Sequence, residues 1–158
     1  MVTEADMARE RFRGFVELSG IDRPYISKAE ERRLLEQGIS QFELEPYEAR
    51  GIVLDVAQER DFRLERDIDR RILPILARFG GRRKKIGRRR FNHAASLYNT
   101  LAGGVLTEEE AKVRVKQVME ANQFKPKRGG LTYTRRWYKG IGAGKKNTKL
   151  PPLLSRDI

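Results

Sequence analysis

A chain of 158 residues is long enough for one helical domain with a real core and too short for two full ones. Its 39% hydrophobic and 35% charged residues exclude disorder throughout, and the lack of cysteine excludes disulfides, thiolate metal sites and cysteine nucleophiles. Charge is the informative quantity: residues 1–77 carry 13 Lys and Arg against 17 Asp and Glu, a net of −4, whereas residues 78–158 carry 21 against 5, a net of +16 within the total of +12. Interspersed signs would serve solubility with less self-repulsion, so the C-terminal half reads as built to meet an anionic partner.

Met1 to Arg13 mixes acids and arginines with no apolar core of signal-peptide length, and nowhere do about 18 apolar residues run together. A cytoplasmic chain with no membrane insertion is expected. Thr3 begins a helix to residue 19 with Ala8, Phe12, Phe15 and Val16 on one face, and Gly20 ends it. Pro24 lies in a loop, after which Ser27 and Glu30 form a capping-box pattern that starts a helix to about Gly38, burying Leu34 and Leu35.

Pro46 suits the first turn of a third helix, with Ala49, Ile52, Val53, Val56 and Ala57 as its apolar stripe. Leu64, Ile68, Ile72, Ile75 and Phe79 continue the period. Between the stripes, Glu59 to Arg71 alternates acids and arginines as a solvated helix laced by i, i+4 pairs would, either continuous with its neighbours or broken near Asp61. Pro74 predicts a kink or a fresh helix start.

Gly80 and Gly81 end that helix. Phe91, Ala94, Ala95, Tyr98 and Leu101 mark the next, closed by Gly103 and Gly104, and Thr107 with Glu110 caps one that ends near Asn122. Beyond it, Pro126 and the glycines from Gly129 to Gly144 argue against a long helix, with room for a short strand or hairpin arm over Leu131 to Tyr138. No internal repeat is read. The expected fold is all-α: a compact bundle of five or six helices over residues 1–122, then a basic, Gly- and Pro-containing C-terminal extension over 123–158.

Two basic segments carry the chemistry. Arg82, Arg83, Lys84, Lys85, Arg88, Arg89 and Arg90 crowd one loop, where neighbouring cations repel until a polyanion neutralises them and arginine can bind phosphate oxygens in pairs. The bland alternative is a solvated loop, free or docked on the acidic N-terminal half. In the extension, Lys125, Lys127, Arg128, Arg135, Arg136, Lys139, Lys145, Lys146 and Lys149 are interleaved with Phe124, Tyr133, Trp137 and Tyr138, and Ala121 to Ser155 contains no acid. Cations among flat rings suit single strands or RNA loops, while for Trp137 by itself packing of the extension onto the helical body is the favoured reading over base stacking.

The stretch from Gly80 to Phe91, with Ile86 and Phe91 at the spacing of a calcium-binding loop and its exiting helix, resembles an EF-hand. Arg82, Arg83, Lys84, Lys85 and Arg90 stand where calcium would need acidic oxygens, so the resemblance implies only a helix–loop–helix whose loop attracts anions. Gly140 to Thr148 fails the phosphate-loop pattern, because Lys139 stands at its first glycine position and Lys146 where the hydroxyl belongs. His93 is the sole histidine, and the acids Asp67 and Asp69 point to different helix faces, with salt bridges to Arg63, Arg66, Arg70 and Arg71 as their expected role.

No catalytic residue, metal site, cofactor or small-molecule substrate is therefore expected. The sequence points to a non-enzymatic, weakly sequence-selective protein that binds nucleic acid, DNA or RNA. It would serve as a small subunit or accessory factor of a larger nucleoprotein complex, its acidic N-terminal half open to a protein partner. The alternative is an adaptor or scaffold whose basic half docks on an acidic protein.

Overall fold

A computed structural model describes residues 1–129 and 134–143. Over that range the chain is mostly helical: α1 Glu4–Ser19, α2 Lys28–Ser40, α3 Pro46–Glu59, α4 Glu65–Gly80, α5 Arg88–Leu101, α6 Glu108–Ala121 and the single turn α7 Arg136–Lys139. Four two-residue strands join them, β1 Tyr25–Ile26, β2 Arg63–Leu64, β3 Lys85–Ile86 and β4 Lys125–Pro126. β1 pairs in parallel with β2, and β3 with β4. No helix among the described residues is long and apolar enough to cross a membrane.

Local chemistry sets the helix starts. Thr3, Ser27 and Thr107 each accept the N–H of the residue three positions on, whose carboxylate accepts the N–H of the cap in return. Pro46 is the first residue of α3, where no helical N–H is needed.

Of the two readings of Glu59 to Arg71, continuous or broken near Asp61, the chain takes the second. Asp61 adopts a left-handed backbone, φ 56°, and β2 follows, so α3 and α4 are separate. Its charges reach across the fold rather than along a helix. Arg66 pairs with Glu31, which is only 2% exposed, and Lys28 pairs with Asp69. Of the pairs expected within the stretch, Asp67 with Arg70 forms, at 3.7 Å. α4 runs through Pro74 without a break.

The chain folds as two compact units, Met1–Ile72 with Asn99–Leu106, and Leu73–Tyr98 with the chain from Thr107 onward. In the first, Phe12, Val16, Ile26, Leu34, Val53 and Val56 form a core on which Phe15, Phe42 and Phe62 pack. Burying a side chain of this size contributes roughly 1.5–3 kcal/mol. In the second, Leu76, Ile86, Phe91, Tyr98, Val115 and Met119 are buried. The segment from residue 123, read from sequence as the start of an extension, carries β4 and buries Phe124 and Tyr138 in this unit. Gly129 and Thr134 bridge in antiparallel fashion, as a hairpin arm would, but Arg136–Lys139 is a helical turn, and residues 131–133 lie outside the described residues.

A repeat that the sequence reading does not find is plain in the element order: α1–β1–α2–α3–β2 is followed by α4–β3–α5–α6–β4. The strand registers match, Tyr25 to Arg63 and Ile26 to Leu64 against Lys85 to Lys125 and Ile86 to Pro126. Leu44, Ala49, Val53, Val56 and Phe62 recur as Leu106, Ala111, Val115, Val118 and Phe124, all but the partly buried Phe62 fully buried. Even the left-handed residue before each phenylalanine recurs, Asp61 at φ 56° and Gln123 at φ 58°.

Candidate nucleic-acid interface

The basic loop begins where α4 ends. Gly81, at φ 59°, turns the chain into a short 3-10 turn ending at Arg83, and Lys84 in the left-handed region leads into β3. β3 draws β4 alongside through Lys125 N–H to Lys84 O at 2.8 Å and Lys127 N–H to Ile86 O at 2.9 Å. Two strands far apart in sequence thus bring both basic segments to one place.

What they enclose is a groove of about 530 Å³ lined by Gly80, Arg82, Arg83, Lys85, Pro126, Lys127, Arg128 and Arg135. Six of these eight residues are cationic, and none is acidic. Two other clefts, both in the first unit, mix signs, one with Asp61 and Asp67 beside Arg63 and Arg71, the other with Glu4, Glu43 and Glu48 beside Arg11. The Arg135 Nε is buried and has no hydrogen-bond partner among the described residues.

Ion pairing separates the two halves of the chain. Arg9, Arg13, Arg60, Arg63 and Arg66 are matched by carboxylates at Glu48, Glu59, Glu17, Asp61 and Glu31. Among the described residues, Arg82, Arg83, Lys85, Arg88, Arg89, Lys125, Lys127, Arg128, Arg136 and Lys139 have no carboxylate partner, and all are exposed. Among the described residues these cations are not held by the protein's own acids, and they are solvated.

Some expected site residues have other work. Lys84 donates to Asn122 O at 3.1 Å and lies 5.1 Å from the Phe124 ring centre. Arg90 donates to Phe79 O at 2.8 Å, with its guanidinium 5.8 Å from the Phe79 ring. Both cations tie the loop down.

The aromatic residues divide in the same way. Phe124 and Tyr138 are buried, and Trp137, half-buried, donates from Nε1 to Lys127 O at 3.0 Å while meeting Phe91 edge-on with ring centres 5.4 Å apart. Burial, and then the Glu120 carboxylate, push the Tyr138 phenol well above its ordinary value, so it stays neutral. Tyr133, also offered for base stacking, lies outside the described residues together with Lys145, Lys146 and Lys149.

Sequence reasoning missed the cation of α6 that organises this packing. Lys116 donates to Tyr138 O at 3.1 Å and Ile141 O at 3.2 Å and sits 4.7 Å from the Tyr138 ring. Its neighbours in sequence give no sign of partners so far along the chain. His93 is exposed, its ring centre 5.7 Å from that of Phe79, and among the described residues no cluster of three or more His, Asp or Glu is placed to hold a metal ion.

In comparisons with known proteins, no family, no curated protein and no solved structure matches this chain.

Proposed function

We propose that the protein binds nucleic acid without chemistry of its own, gripping the phosphate backbone through Arg82, Arg83, Lys85, Lys127, Arg128 and Arg135 with Arg88 and Arg89 nearby in sequence. The single observation that carries this reading is the groove whose lining, among the described residues, holds six cations and no carboxylate, in a chain where Arg9, Arg13, Arg60, Arg63, Arg66 and Arg70 are each paired with an acid. Crowding unpaired cations costs Coulomb energy that an external polyanion recovers, with counterion release as the driving term. Arginine and lysine contacts to phosphate carry no sequence information, so selectivity between sequences is weak. The acidic first unit is left for a protein partner, as a small subunit of a nucleoprotein complex would need.

The test is a titration of labelled duplex and single-stranded oligonucleotides over a range of salt, with wild type and an Arg82→Glu, Arg83→Glu variant. The logarithm of affinity should fall against the logarithm of salt with a slope of about 0.9 per phosphate contacted on duplex, and the variant should lower both affinity and slope. Failure of either polymer to bind at low salt, with a stoichiometric acidic protein recovered alongside the chain instead, would replace this reading with that of an adaptor.

A further inference from the structure

Resting on that reading, we infer that the groove is a discrete phosphate site, in which an external phosphate takes the place that the Glu65 carboxylate holds in the first repeat. The matched registers of the two strand pairs make the comparison residue by residue. Glu65 is the first residue after β2, and Lys127 is the first after β4. Tyr25 opens β1, and Lys85 opens β3. Lys28 opens α2, and Arg88 opens α5.

In the first repeat the space is closed from within. Glu65 is 5% exposed, and its carboxylate accepts the Tyr25 hydroxyl at 3.1 Å and the Lys28 N–H at 3.1 Å. In the second repeat every counterpart has the opposite or no charge to offer. Lys127 replaces the carboxylate, Lys85 the phenol, and Gly87 stands where Ser27 caps α2. Lys127 stays close to that helix start, since a Cβ on Gly87 would lie 3.8 Å from its Cδ. Arg90, at the position of the capping Glu30, is drawn away to Phe79 O.

An anion is thus built into one repeat and missing from the other, where cations surround its place. Arg135 adds an independent sign, since it lines the groove and its buried Nε has no acceptor of its own among the described residues. A phosphate supplies two or more acceptor oxygens and the charge. Among the described residues the lining holds cations, a glycine and a proline, so the group these residues recognise is the phosphodiester.

Lys127→Glu decides the matter, because it installs the carboxylate of the first repeat. Duplex affinity should fall by at least about tenfold at moderate salt, against no more than about threefold for Arg136→Glu, an equal charge change at a residue that does not line the groove. Thermal melting of Lys127→Glu should be unchanged or raised, and inorganic phosphate, matched in ionic strength with chloride, should alter Trp137 fluorescence in wild type but not in the variant. If Lys127→Glu melts early, Lys127→Gln takes its place with the same expected ranking.

Equal losses at Lys127 and Arg136 would mean a diffuse cationic face, overturning the discrete site while leaving nucleic-acid binding intact. A phosphate response that needs Lys127, in a chain that binds no polymer, would keep the site and assign it free phosphate. No response to phosphate together with an unaltered affinity in Lys127→Glu overturns the inference.

Discussion

The Phe62 ring lies so close over Gly20 that a Cβ at Gly20 would stand 2.4 Å from the ring Cζ, and Phe124 stands in the same relation to Gly80, at 3.1 Å. Each ring seals the end of the helix that opens its repeat. Gly20→Ala should therefore push Phe62 out of place and destabilise the protein by about 1–3 kcal/mol. Gly14, inside α1 with nothing within 4 Å of an added Cβ, makes the control: Gly14→Ala should stabilise by about 0.5–1 kcal/mol through helix propensity. Urea unfolding of the two variants should move the midpoint in opposite directions.

The helices were legible because their signals are local. A capping box needs two residues three apart, and Thr3, Ser27 and Thr107 declare themselves. The repeat was not, because packing tolerates exchanges that sequence comparison by eye does not: at one matched, buried position the first repeat has Glu31, paired with Arg66, and the second has Phe91. The charge asymmetry gave the basic half, but a two-residue strand has no periodicity to read, so nothing in the sequence foretold that β3 and β4 would bring Lys85 beside Lys125. Nor could spacing decide whether Trp137 packs or stacks, since both uses need the same ring.

Tyr25 and Glu65 are both 5% exposed, and the hydroxyl of one donates to the carboxylate of the other. Tyr25→Phe keeps the ring and leaves a buried carboxylate one donor short, a loss of about 1.5–3 kcal/mol for a bond to a charged group. Calorimetric melting of Tyr25→Phe alongside Tyr47→Phe, at an exposed tyrosine, measures it. A Tyr25→Phe melt no lower than that of Tyr47→Phe would mean the hydroxyl contributes nothing.

The start of α1 should respond to acid. The Thr3 hydroxyl, then its backbone N–H, and then Arg9 hold the Asp6 carboxyl below its ordinary value of 3.8. A carboxyl depressed on folding adds stability above its unfolded value, and that contribution is lost as pH falls through the lower folded one. An NMR titration of the wild type should place the Asp6 midpoint below 3.8, and Thr3→Ala should raise it toward 3.8, because the largest cause is gone. A midpoint indifferent to Thr3→Ala would show that the capping box does not form in solution.

Trp137 separates packing from base stacking. Its Nε1 donates to the carbonyl of Lys127, and its ring meets Phe91 and Tyr138 edge-on at 5.4 and 5.6 Å between centres. Trp137→Phe retains an aromatic face but loses the donor, so the melting temperature should drop by an amount corresponding to about 1 kcal/mol, the net worth of one hydrogen bond. Trp137→Ala should cost about 3–5 kcal/mol, as a large buried ring does, or somewhat less because this ring is half-buried. If the ring instead stacked on a base, removing it would weaken single-strand binding by about 1–3 kcal/mol and leave duplex binding alone. Packing predicts otherwise: affinities for duplex and single strand change together, and by less than twofold in Trp137→Phe, because the proposed phosphate contacts come from the groove residues Lys85, Lys127 and Arg128. A selective loss of single-strand affinity in Trp137→Ala, with duplex affinity kept, would return this ring to the binding surface and make the groove only part of it.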